Sequence, residues 1–157
     1  MHGEAAPVDR TVIDVIKWIV DHDPPTRREF ADRAGWVATC QSAFDHRIAG
    51  ALLAAVDDGW VVAPVGGVEH LKERVLQRMR TCLTIEAALL DVAGVLTREG
   101  VEACVLKGVA GAHLDYPDPS YRAFNDVDLL IAPDEIDRAT GALERAGCRR
   151  DLPPRSK

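Results

Sequence analysis

An α+β fold, with helices first and a small mixed sheet after them, is what the 157-residue sequence predicts. Up to Arg98 the apolar residues recur at helical spacing. After Gly100 the pattern shifts to short β-prone runs, VEACVL (101–106) and DVDLLI (126–131), alternating with short helical segments. Composition agrees: 47% hydrophobic and 28% charged residues describe an ordinary globular chain, and with aromatics at 5% the core must be mostly Ala, Val, Leu and Ile. A chain of this length suits one domain with a helical extension, and buries roughly 70% of the surface its unfolded form exposes.

Residues 9–22 (DRTVIDVIKWIVDH) place Val12, Ile16 and Ile19 at helical spacing, with Val15 and Val20 nearby. Asp23-Pro24-Pro25 is expected to end that helix, because proline removes a donor and restricts the residue before it. Thr26 with Glu29 three residues on has the form of a capping box. TRREFADRAGWVATCQSAF (26–44) then reads as two small packed helices, with a DNA-binding helix-turn-helix as the alternative. HRIAGALLAAVDDGW (46–60) continues as an apolar helix, and APVGG (63–67) is a loop.

From Val68 a long amphipathic helix is predicted to run to about Arg98, with Val68, Leu71, Val75, Met79, Cys82, Leu83, Leu90 and Leu96 close to one face, and Glu99-Gly100 closing it. VAGAHLDY is a short helix, and PDPSYRAFN a proline-punctuated loop before the second strand. Pro133 suits the first turn of a last helix, whose inner face is Ile136, Ala139 and Leu143 and whose stop is Gly147. The sequence contains neither an internal repeat nor a low-complexity tract.

Net charge is −6, divided as −4 over residues 1–67 and −2 over the remainder. Neither part supplies the positive field that non-specific nucleic-acid binding needs, so DNA binding is not expected. Cys40, Cys82, Cys104 and Cys148 are scattered without metal-ligand spacing, which predicts free thiols in a reducing cytoplasm rather than a zinc site. The apolar runs fall far short of the roughly 20 residues of a membrane span, and the N-terminus has no signal pattern. A cytoplasmic protein without membrane association is expected.

Two residues stand out chemically. Alternate residues of a strand share a face, so Val127, Leu129 and Ile131 point into the core while Asp126 and Asp128 point together to the other side. Neighbouring carboxylates repel unless a cation lies between them, and Mg²⁺ is the natural one, since it is held by one or two carboxylates plus substrate phosphates. Acidic residues also serve simply to solvate a strand end, and the pair alone does not decide between these readings. Lys107-Gly108, directly after the preceding strand, offers a point charge and an approachable backbone. Arg122 lies four residues before Asp126, within reach of a phosphate or of Asp118.

Leu106-Lys107-Gly108, Tyr116-Pro117-Asp118-Pro119, Arg122 and Asp126-Val127-Asp128-Leu129-Leu130-Ile131 together resemble the uncharacterised nucleotidyltransferase family of the DNA polymerase β superfamily, and residues 35–53 resemble the helical segment those proteins carry before their core. The resemblance implies N-terminal helices packed on a small mixed-sheet palm. It also implies Mg²⁺- or Mn²⁺-dependent transfer of a nucleoside monophosphate from an NTP to an acceptor hydroxyl, with release of pyrophosphate. Asp126 and Asp128 would be the catalytic metal ligands, and Lys107, Gly108 and Arg122 would bind the nucleotide. The lysine departs from the wider superfamily, which places small residues at that turn.

The superfamily completes its site with a third carboxylate on a later strand. Here the only acid after the last helix is Asp151, in RRDLPPRSK, which reads as loop. The expectation is therefore a truncated member, divided as a helical region (1–67), a long helix with a partial core (68–150) and a polar tail (151–157). A non-catalytic nucleotide- or protein-binding regulatory module on a degenerate transferase fold is the alternative. An unpaired sheet edge predicts self-association.

Overall fold

The computed structural model of the chain describes residues 8–22 and 26–151. In chain order these form α1 (Arg10–Asp21), β1 (Arg28–Glu29), α2 (Arg33–Asp45), α3 (Ala49–Asp57), β2 (Val61–Val62), α4 (Gly67–Arg98), β3 (Ala103–Leu106), α5 (Gly108–Leu114), a 3₁₀ turn (Pro119–Tyr121), β4 (Asp128–Ile131) and α6 (Ile136–Arg145). The class is α+β, with two strands in each of two small sheets: β1 parallel to β2, and β3 antiparallel to β4.

α1 begins where Asp9 accepts a hydrogen bond from the Thr11 amide at 2.8 Å, and ends at His22 in the left-handed region. The residues expected to stop it, Asp23-Pro24-Pro25, lie outside the described residues. Its buried stripe is Thr11, Val12, Val15 and Ile19, whereas Ile16 and Val20, expected to join that face, are exposed. The capping box anticipated at Thr26 and Glu29 does not form. Arg28–Glu29 instead pair with Val61–Val62, and Asp32 caps the one helix that follows, accepting from the Gly35 amide at 2.7 Å. A long-range strand pairing overrides the local helix signal there.

α4 spans 32 residues and contributes to each of the three core clusters. Its inner face reads Leu71, Val75, Met79, Cys82, Ile85, Leu89, Val92 and Leu96, in steps of three and four. The first three of these complete the core built by α1, α2 and α3, where Trp36, Ala43, Leu52 and Val61 are buried. Cys82, Ile85 and Leu89 pack under Val109, Ala112 and Phe124, and Leu96 meets Val101 and Ala139. Leu83 and Leu90, expected on this face, are exposed and share a separate stripe with Leu76. A seven-residue step returns almost to the same side of a helix, so such a row continues along one flank.

Both glycine stops are as expected. At Gly100 (φ 64°) and Gly147 (φ 96°) the chain turns left-handed, and the amides of Val101 and Cys148 donate back to Leu96 and Leu143, which closes each helix in a Schellman motif. Pro133 falls in the turn before α6 rather than in its first turn, since the helix starts at Ile136 with Glu135 as its cap. The inner face of α6 is formed by Ala139, Ala142 and Leu143. All four cysteines are free.

Candidate functional site

The antiparallel register of β3 and β4 sets Leu106 opposite Asp128. Lys107, one residue past that pair, therefore stands over the start of β4, and its Nζ lies 3.4 Å from Asp128 Oδ2. Val127, Leu129 and Ile131 pack inward, while Asp126, just before β4, and Asp128, at its start, are exposed. Lys107 occupies φ 51°, ψ −136°, a backbone region that a residue with a Cβ enters only at a cost. Gly108 begins α5. A Cβ there would lie 3.2 Å from Phe124 Cβ and 3.4 Å from the Asp126 carbonyl, so its bareness lets α5 close on the segment leading into the aspartates.

That segment is pinned from several directions. Asp118 caps the 3₁₀ turn by accepting from the Ser120 amide at 2.8 Å, and hydrogen bonding from the Ser120 side chain first, then from that amide, holds its carboxyl below the usual range. The Ala123 amide donates to the Arg47 carbonyl at 2.9 Å. Phe124 is buried, its amide donating to Cys82 Sγ and its carbonyl accepting from the same thiol, each at 3.5 Å. Arg78 of α4 donates to Asn125 Oδ1 at 3.2 Å. The residue before Asp126 is thus tied to the helix that organises the molecule.

Beside Lys107 opens a cleft of about 480 Å³, bordered by Lys107, Arg122, Tyr116 and Asp115 and walled by Ile16, Ile19 and Val20 of α1. Arg122 lies 5.8 Å from the Tyr116 ring centre and, among the described residues, makes no ion pair with Asp118 or any other acid. The sequence motif contains Lys107 and Arg122 but not the α1 wall. The available signal was surplus: α1 carries more apolar residues than one buried stripe uses, leaving Ile13, Ile16 and Val20 exposed.

The carboxylates suit a hard cation. Among the described residues Asp128 has only the exposed Lys107 ammonium as partner and Asp126 has no side-chain hydrogen bond, so their oxygens are open to a ligand. Among the described residues no group of three or more His, Cys, Asp or Glu side chains is placed to hold a metal. Asp151, the one acid after α6, pairs instead with Arg149 at 3.3 Å. Two protein carboxylates would thus leave the remaining positions of a Mg²⁺ ion to water and phosphate oxygens.

No helix among the described residues is long and apolar enough to cross a membrane. No curated protein and no solved structure matches the chain significantly. A family model described as uncharacterised nucleotidyltransferase does match, over residues 32–157, which takes in every element from α2 onward together with both aspartates, Lys107 and Arg122. The chain belongs to the uncharacterised nucleotidyltransferase family.

Proposed function

We propose that the protein transfers a nucleoside monophosphate from an NTP to an acceptor hydroxyl, releasing pyrophosphate, with Mg²⁺ or Mn²⁺ held by Asp126 and Asp128. The observation that carries this reading is the pairing of Lys107 with Asp128 at 3.4 Å, Lys107 itself bordering a cleft that Arg122 also borders though neither aspartate lines it. A bound divalent ion would supply charge neutralisation at the phosphates and lower the barrier to attack by the acceptor oxygen.

The chain's own residues do the remainder. Asp128 opens β4 and Asp126 lies two residues before it; both are exposed, and neither is committed to the core. Lys107 is fixed at its Cα by the strand register but free at its tip, so it can exchange the Asp128 carboxylate for a phosphate oxygen. Arg122 presents a planar fork of donors to a second phosphate. Ile16, Ile19, Val20 and Tyr116 exclude water and give the base an apolar surface.

Titration calorimetry of the chain with each NTP, with and without Mg²⁺, tests the reading. Metal-dependent binding is expected, and it should disappear in the Asp126→Asn/Asp128→Asn double variant. Equal binding by that variant would remove the site assignment. Because no group of three or more metal-ligating side chains is present among the described residues, a second reading is retained: a module that binds nucleotide without transferring it. Release of pyrophosphate from bound NTP separates the two.

A further inference from the structure

We infer that a second cavity, where the α2–α3 junction, α4 and the 118–125 loop meet, binds an organic acid with an apolar body. The cavity holds about 340 Å³, within the range of small-molecule sites, and neither Asp126, Asp128 nor Lys107 lines it. Arg122 lines both this cavity and the Lys107 cleft, while its other lining residues take no part in the proposed transfer.

Its floor is apolar: Phe44, Val75, Met79 and Leu83 line it. Leu83 is 62% exposed, so an occupant would cover a side chain that the fold itself leaves in water. Around this floor stand three arginines, Arg47, Arg78 and Arg122. Among the described residues none of them reaches a carboxylate at ion-pair distance, although the chain as a whole is acidic. The only side-chain bond of Arg78 among those residues goes to the neutral oxygen of Asn125.

The acids at the same cavity are already engaged. Asp45 accepts from Gln41 Nε2 at 2.7 Å, Glu86 is bonded to His113 Nε2 at 2.9 Å, and Asp118 caps Ser120. Bonded to neutral donors, Asp45 and Asp118 keep their charge, so what the cavity offers beside its apolar surface is guanidinium forks with no carboxylate in contact, not a surplus of positive charge. Arg47 also sits at φ 62°, with its carbonyl fixed by the Ala123 amide, so its position is held against backbone strain. Guanidinium forks above an apolar floor recognise a carboxylate or a phosphate ester attached to an aliphatic or aromatic body.

The test uses 8-anilinonaphthalene-1-sulfonate, an anion on an apolar frame, titrated by fluorescence into the full chain. Saturable binding to one site is expected. It should be displaced by 3-phenylpropionate or phenyl phosphate, the stronger of which identifies the head group, and not by the neutral 3-phenylpropanamide. Arg78→Gln should weaken the probe about tenfold, the loss of one charge-assisted hydrogen bond. Leu83→Glu, at an exposed position that folding does not need, should do the same, and Asp126→Asn should leave binding unchanged. The inference is overturned by non-saturable binding, by equal competition from the amide, by displacement with Mg²⁺-ATP, or by wild-type affinity in both Arg78→Gln and Leu83→Glu.

Discussion

Lys107 combines a nucleotide-binding candidate with a conformational penalty. Its φ of 51° and ψ of −136° lie where glycine is at home, yet the residue is a lysine whose ammonium reaches Asp128. The ion pair is solvent-exposed and contributes at most about 1 kcal/mol. The backbone cost is of order 1–3 kcal/mol, so strain outweighs the pair. Selection for folding alone would favour glycine at this turn. Lys107→Gly is therefore expected to raise the midpoint of chemical unfolding by an amount equivalent to about 1 kcal/mol, while weakening Mg²⁺-NTP binding. Lys107→Ala should weaken binding equally without the gain in stability. A glycine variant no more stable than the alanine variant would show that the strain is not real.

At the scale of elements, the joint between α3 and the 3₁₀ turn decides where the loop carrying Arg122 and leading to Asp126 sits. Gly50 of α3 lies against Ser120, and a Cβ there would fall 1.9 Å from the Ser120 carbonyl oxygen. Backbone cannot yield as a side-chain tip can. Gly50→Ala is expected to cost about 3 kcal/mol or more in urea unfolding, because α3 or the turn must move. Gly94→Ala is the control: its Cβ would meet only the tip of Arg98 at 3.7 Å, and mid-helix alanine should stabilise by up to about 1 kcal/mol. Similar effects of the two changes would mean that the joint is loose.

No sequence rule pointed to Gly50, because the constraint comes from a turn seventy residues away in the chain. What could be read was local. Periodicity located α1, α4 and α6, and glycine chemistry located both Schellman stops. Alternation separated Val127, Leu129 and Ile131 from the two aspartates. Misreadings arose where a partner distant in sequence decided the outcome. Val61–Val62 drew residues 28–29 into a strand instead of a capping box. Leu83 and Leu90 are apolar on a helical repeat, yet the neighbours of α4 cover a different stripe. The same holds for the site: Lys107, Arg122 and the aspartates were visible as motif, while the α1 wall of the cleft was not, being contributed by residues outside the family match.

Across the whole molecule, α1 and the family-matched region share one core. Val12, Val15 and Ile19 of α1 are buried in the same cluster as Cys40, Leu71 and Val75, so opening any part of it exposes all. Cys40 reports on that core. Burial pushes its thiol up to about 11, partly offset by the Arg74 guanidinium. An unfolded thiol releases its proton near 9.0, whereas the native one retains it. Between those values the unfolded state gains charge that the native state refuses. Stability from this source is thus complete below pH 9, falls as pH rises, and is gone above about 11. Tyr121, raised by burial and by Asp118 and Asp58, acts in the same sense. Thermal unfolding under reductant should therefore show a falling midpoint from pH 8 to pH 11. The fall should be shallower in Cys40→Ala, even though that variant starts lower because of the cavity it creates. In the native protein iodoacetamide should modify the exposed Cys104 and Cys148 and spare Cys40 until the core opens. Parallel pH profiles for the two proteins, or early labelling of Cys40, would place the thiol in water and separate α1 from the core it completes.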